Sequence, residues 1–244
     1  MAWIALIPLL PALAFAVMLP MSRKARTAVR WLPAVATVAA LGLSIAAFVR
    51  VVTAGGADAV WTATITMAKI GGQALSMGLR LDPVTAIMLL VVSIVATCVQ
   101  VYSMVYMKSE ERRGWYFAVL SLFTAAMLLL VLAGDFLLLY MSWEVMGLCS
   151  YLLIGFWHEE DMPRRASIKA FLTTRVGDVG FAIGLAAMWM YAHSFDFNVV
   201  LHGAAWTAPA ATMVALGLLF GAMGKSAQVP LHVWLPDAMA GPTP

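Results

Sequence analysis

Three ionisable residues, Glu144, Asp178 and Lys225, stand inside long apolar stretches, and two carboxylates with one amine are a set that can take up and hand on protons. An acid or base at mid-bilayer costs at least about 2.5 to 3.5 kcal/mol, so each needs a partner, a water-filled cavity or a task. Glu144 shares a helical face with Tyr140, Gly147 and Tyr151, which are small or hydrogen-bonding, so that face is expected to meet protein or water. The competing reading is a neutral carboxylic acid bonded to one neighbouring helix. Asp178 lies one turn from Arg175 and Thr174, beside Gly177, Gly180 and Gly184, whose small size permits close helix packing. An Asp178–Arg175 pair within one helix would equally neutralise both charges for purely structural ends. Lys225 is followed at i+3 and i+7 by Gln228 and His232, one stripe of a continuing helix. Snorkelling is its bland alternative, with a long reach from mid-span. A carboxylate moving toward or away from Lys225 would load or release a proton.

The elements that carry these residues follow from composition. With 63% hydrophobic and 11% charged residues, against roughly 25% charged in soluble domains, the 244-residue chain has too few charges to cover a globule in water. Apolar runs long enough for a bilayer core recur at 3–20, 31–49, 84–107, 115–133, 136–157 and 170–192, with a seventh at 208–235. The seventh is long and contains Lys225 and Pro230, which predicts an interrupted helix. The expected fold is therefore an all-α polytopic membrane protein of about seven transmembrane helices, forming one membrane domain over residues 1–244. Between the second and third spans, residues 60–81 alternate apolar and polar around Gly71-Gly72, a short β-hairpin on the outer face. Asp82-Pro83 then supplies a cap and a first-turn proline for the third span.

Basic residues set the orientation. Loop one holds Arg23, Lys24, Arg26 and Arg30, loop three Lys108, Arg112 and Arg113, and loop five Arg164, Arg165 and Lys169, whereas Lys69 and Arg80 lie in the alternate loops. Positive loops stay inside, so the N-terminus is expected outside. No basic residue precedes the first apolar run, which favours a retained helix over a cleaved signal.

The remaining polar residues are weaker signals. Gln100, Ser142, Thr173 and Thr174 read as helix–helix hydrogen bonders. His158, His193 and His202 fall at helix ends or loops, and the nine tryptophans, such as Trp31, Trp115 and Trp157, mostly mark an aromatic belt. Cys98 and Cys149 lie too far apart for a metal-ligand spacing. The basic residues form no nucleic-acid footprint, and no dinucleotide-binding glycine pattern occurs, so the chain itself is expected to hold no cofactor or metal.

Four stretches carry a family resemblance: LDPVTAIM at 81–88, WEVMGLCSYLLIGFW at 143–157, KAFLTTRVGDVGF at 169–181 and GAMGKSAQVPLHVWLPDAMAGPTP at 221–244. Together they resemble the N-terminal portion of the L-type (chain 5) antiporter-like subunit of respiratory complex I, NADH:quinone oxidoreductase. Mrp-type cation/proton antiporters are related. The resemblance implies a partial antiporter-like fold, with Glu144 as the fifth-helix glutamate and Lys225 as the seventh-helix lysine of a proton-loading pair. It implies Asp178 and Arg175 beside that pair, and His232 as a secondary member of a hydrophilic axis. It implies a chain that pumps protons while FMN, iron-sulfur clusters and quinone sit in other subunits, with other membrane subunits, the M-type above all, and the lipid bilayer as partners, in a bacterial inner membrane with the mitochondrial inner membrane as the alternative. A Mrp-like antiporter subunit without redox coupling is the alternative. Members carry a second inverted repeat and a long lateral helix, so the chain is expected to be a partial, truncated sequence.

Overall fold

The computed structural model of the chain describes residues 2–55, 59–70 and 73–244. The expected Gly71-Gly72 turn lies outside the described residues. Among the described residues six helices are long and apolar enough to cross a bilayer, and a shorter apolar helix precedes them. The backbone contacts divide into two compact units, residues 1–63 and 79–133 with Pro244, and residues 64–78 with 134–243.

The first unit holds α1 (Leu6–Met18), α2 (Arg23–Ala28), α3 (Leu32–Thr53), α4 (Pro83–Tyr106) and α5 (Arg113–Val131). Asp82 begins α4 by accepting the Thr85 N–H at 2.8 Å, with proline in the first turn. α1 packs on α3 and α5, and α4 on α3 and α5. The core is aliphatic, built on Ile7, Val51, Leu81, Leu89, Leu128 and Leu132. The Ser121 hydroxyl ties α5 to α1 by donating to the Pro11 carbonyl at 2.8 Å.

Two strands, β1 (Trp61–Ile70) and β2 (Gln73–Leu81), form a two-stranded hairpin whose inner part, 64–78, is counted with the second unit. The second unit continues with α6 (Phe136–Ile154), α7 (Asp161–Ala192) and α8 (Ala208–Lys225). Asp135 caps α6 by accepting the Leu138 N–H at 2.7 Å, and its other oxygen accepts the Gly78 N–H at 2.7 Å, which fixes the hairpin to the start of that helix. α7 begins at Asp161, well before the expected 170, because it outlasts the lipid. Its 32 residues span about 48 Å at 1.5 Å per residue against a hydrocarbon core of about 30 Å. Hydropathy marks only the part in lipid, and Arg164, Arg165 and Lys169 ride on the rest.

α7 and α8 pack through small residues. A Cβ on Gly217 would stand 2.7 Å from both the Gly184 Cα and the Gly180 carbonyl oxygen, so the backbones touch where only glycine fits. α8 stops at Lys225 instead of running toward 235. Pro230 lacks an N–H and bars its predecessor from helical geometry, so turns follow, ending in a short 3-10 segment at Asp237–Ala240. Trp234 returns to donate its indole N–H at 3.0 Å to the Gly224 carbonyl, which also accepts the Ala227 N–H at 3.4 Å, in the last turn of α8.

Candidate functional site

Glu144 stands in the middle turns of α6, Arg175 and Asp178 on one face of α7, and Lys225 at the last residue of α8. All four meet in the second unit. Arg175 forms an ion pair with the Glu144 carboxylate, and its Nη2 also donates to the Glu144 backbone carbonyl at 3.3 Å. The Arg175 guanidinium carbon lies 4.6 Å from the centre of the Phe171 ring, one turn back on its own helix.

Asp178 is 2% exposed and its two oxygens have different duties. Oδ1 accepts the indole N–H of Trp143 at 2.7 Å. Oδ2 has no hydrogen-bond donor among the described residues. It faces Arg175 Nη1 at 3.8 Å and Lys225 Nζ at 3.9 Å, so two cations from two helices compete for one oxygen. The Lys225 ammonium also lies 5.8 Å from the Trp143 ring centre. Gly147 gives it room, since a Cβ there would come within 2.5 Å of Nζ. The charges form a sequence Glu144–Arg175–Asp178–Lys225 that alternates in sign.

The arrangement places two further residues between the glutamate and the lysine. Glu144 and Lys225 are not directly paired within 4 Å among the described residues; Arg175 and Asp178 stand between them. The Arg175–Asp178 pair within α7 exists, but the arginine's nearer partner is on α6. Because α8 ends at Lys225, Gln228 and His232 do not continue its stripe. His232 is exposed, and no hydrogen bond or ion pair joins its side chain to the cluster among the described residues. Ser142 and Thr174, expected between helices, donate instead to carbonyls of their own helices at 2.9 Å.

Trp143 and Gly147 are the residues whose roles went unassigned. Trp143 sits well inside α6, away from the helix ends where an aromatic belt lies, and its neighbour in sequence is the acid Glu144. That position was the available signal. Among the described residues no group of three or more His, Cys, Asp or Glu side chains is placed to hold a metal ion.

Comparison with known proteins bears on the same residues. The family model described as "NADH:quinone oxidoreductase/Mrp antiporter, TM" matches residues 133–244, which contain the whole cluster. A second, "NADH-Ubiquinone oxidoreductase (complex I), chain 5 N-terminus", matches residues 67–117. Among relatives, NAD(P)H-quinone oxidoreductase subunit 5 of Paulinella chromatophora is 47% identical over 184 residues, 72% of this chain. NADH-quinone oxidoreductase subunit L of Rhodobacter capsulatus is 44% identical over 194 residues, also 72% of this chain. The chain spans 28% and 27% of those two proteins' own lengths. In the solved structure of the Mrp complex from a Dietzia species, one chain superposes over 97% of this one with a TM-score of 0.77 at 29% identity, the match covering 25% of that chain.

Proposed function

This chain belongs to the NADH:quinone oxidoreductase/Mrp antiporter family of multi-pass membrane subunits, and from that premise we propose that it moves protons in an NADH:quinone oxidoreductase, coupling electron transfer elsewhere in the assembly to protonation changes at Glu144 and Lys225. The observation that carries the reading is the shared oxygen: Arg175 and Lys225 both address Asp178 Oδ2 at nearly equal distance.

That geometry makes a switch. With Glu144 ionised, Arg175 stays on α6 and the charge of Asp178 holds the proton on Lys225. When Glu144 takes a proton, Arg175 is released and turns to Asp178, its neighbour one turn away. The carboxylate is then neutralised by a permanent cation, its hold on the Lys225 proton weakens, and the proton leaves toward the end of α8. Trp143 keeps Asp178 in place while the cations exchange, because its N–H stays on the other oxygen. The proton enters at one acid and leaves from one amine, and no redox group is needed within this chain.

The setting that goes with this role is a bacterial cell membrane, with the N-terminus outside and loops one, three and five inside. Other membrane subunits, an M-type antiporter-like chain foremost, are the partners, and FMN, iron-sulfur clusters and quinone belong to the rest of the assembly. In the complete complex, Lys225→Ala and Glu144→Gln should each depress proton pumping and coupled quinone reduction while the complex still assembles. Unchanged pumping in both would overturn the roles.

A second reading, a cation/proton antiporter subunit without redox coupling, is favoured by the likeness to the Mrp complex. NADH-driven acidification of inverted vesicles separates the two. The redox reading requires acidification on NADH addition that is lost in Lys225→Ala. The antiporter reading requires no response to NADH and a Lys225-dependent collapse of an imposed proton gradient on adding sodium.

A further inference from the structure

The basic residues of loops one and three take no part in the proton site, yet they converge. In the first unit α2 lies against the start of α5 so closely that a Cβ on Gly114 would stand 2.9 Å from both the Arg26 carbonyl carbon and the Thr27 nitrogen. The contact sets the Arg26 guanidinium 5.4 Å from the centre of the Trp115 ring. Between the two helices is a cleft of about 240 Å³ lined by Arg23, Arg26, Thr27, Arg112, Gly114 and Trp115. The α2–α5 contact also puts loops one and three on the same face of this unit, as the charge rule requires of two inner loops.

The three guanidiniums are placed differently. Arg26 is a fixed wall, because Nε donates to the Met18 carbonyl at 3.0 Å and Nη2 to those of Leu19 and Met21, each at 2.9 Å, closing the end of α1. Arg23 projects into solvent, and its acidic neighbour Glu111 is 3.8 Å away, with both side chains well exposed, so that pair is weak competition for an anion. Arg112 is the residue from which α5 starts, where the positive end of the helix dipole adds to its charge. Thr27 adds a hydroxyl. On α1, the helix whose end Arg26 closes, Leu13, Val17 and Leu19 are exposed apolar side chains, and the Leu19 carbonyl is one of the acceptors of Arg26.

We propose that this cleft binds the phosphate of an anionic phospholipid from the inner leaflet, with Arg23 and Arg112 on the phosphate oxygens and the acyl chains along the exposed flank of α1. Planar guanidiniums match phosphate oxygens in pairs. A tryptophan at the mouth of a basic cleft suits headgroup depth, and such clefts at the inner ends of membrane helices suit anionic lipid. A free phosphate ion would satisfy the arginines and leave the apolar flank unused.

The test is retention of phosphatidylglycerol by the complete membrane complex during detergent washing, followed by lipid mass spectrometry, with phosphatidylcholine as the neutral probe. The double variant Arg23→Gln/Arg112→Gln should weaken phosphatidylglycerol retention about tenfold or more, the loss expected of two basic contacts at a charged surface. Arg23→Lys/Arg112→Lys should keep most of it, and phosphatidylcholine retention should not change. Should the double variant fail to assemble, Thr27→Asp, which sets a carboxylate in the cleft and leaves the arginines in place, should give the same selective loss. Equal phosphatidylglycerol retention by wild type and by whichever of these variants assembles overturns the proposal. So does release of the lipid by millimolar inorganic phosphate at constant ionic strength, which would mark the cleft as a site for the free ion.

Discussion

The two units differ in whether they bury charge. In the first, the buried polar side chains are Thr37, Ser44, Ser93, Gln100, Ser103, Ser121 and Thr124, hydroxyls and one amide with no carboxylate or ammonium among them. Most of the hydroxyls donate to a carbonyl four residues back in their own helix, as Thr37 does to Pro33 and Ser44 to Ala40, each at 2.8 Å. In the second, Ser142, Ser167 and Thr174 likewise donate to carbonyls of their own helix, but Asp178 is buried beside two cations and Asp135 caps a helix from a buried position. A hydroxyl bonded to its own helix has nowhere else to go, whereas an ion facing two partners has a choice. The first unit is thereby suited to hold its shape and the second to change its pairing.

The sharpest way to break this comparison is to remove one polar group from each unit. Asp178→Ala leaves Arg175 and Lys225 facing each other without their shared carboxylate, and breaking a buried pair in this way costs about 3 to 5 kcal/mol. The expected outcome is a strong loss of thermal stability in detergent together with loss of pumping. Gln100→Met removes an amide that is fully buried and has no hydrogen-bond partner for either of its polar atoms among the described residues. Deleting such a group should raise stability by about 1 kcal/mol and leave pumping alone. If Gln100→Met were the more damaging change, the division of labour would be wrong.

Smaller changes should sharpen it within the second unit. Trp143→Phe keeps the ring but removes the 2.7 Å hydrogen bond to Asp178 Oδ1. Hydrogen bonds to charged groups contribute about 1.5 to 3 kcal/mol, so pumping should fall about tenfold while the complex assembles. Gly147→Ala places a methyl where only the flexible tip of Lys225 must yield. Its stability should be unchanged and its pumping reduced severalfold. Equal loss of stability and pumping in Gly147→Ala would indicate a packing role in place of the positioning role.

How much of this was legible beforehand depended on which force decided each feature. The apolar runs and the charges set within them at Glu144, Asp178 and Lys225 were readable because a bilayer imposes a length and penalises ions. The pairing was not readable. Spacing within one segment says that Arg175 and Asp178 can meet, but whether Arg175 turns instead to Glu144 depends on the axial offset of α6 against α7, set by contacts distant in sequence. The glycines that set the α7–α8 offset were visible at 177, 180 and 184, while their counterparts on α8, Gly217 and Gly224, became meaningful only once the helices were side by side. Lys225 was placed at mid-span because hydropathy ignores the missing N–H of Pro230. Trp143 was hidden by a rule about tryptophans that holds for helix ends.

The least perturbing comparison is between the two capping aspartates, one in each unit and both at helix starts outside the spans. Burial would push the Asp82 carboxyl up, but the Thr85 backbone N–H, the Arg80 guanidinium, whose Nε is 2.9 Å away, and the Thr85 hydroxyl together hold it below its ordinary value of 3.8. Burial pushes the Asp135 carboxyl above 3.8, the N–H groups of Leu138, Gly78 and Leu137 offset only part of this, and the charge of Asp196 adds to it. The signs of the linkage are opposite. A carboxyl whose folded pKa is depressed contributes stability present above 3.8 and lost as pH falls through the folded value. One whose folded pKa is raised contributes stability that is full below 3.8 and lost as pH rises through its folded value. Thermal unfolding from about pH 3 to 7 should therefore show the stability difference between wild type and Asp82→Asn growing with pH, and that between wild type and Asp135→Asn shrinking. The effects are small because each residue also caps its helix, and an asparagine still caps. A common slope for both variants would mean that the local partners, Arg80 in one unit and Asp196 in the other, do not set the charge of the caps.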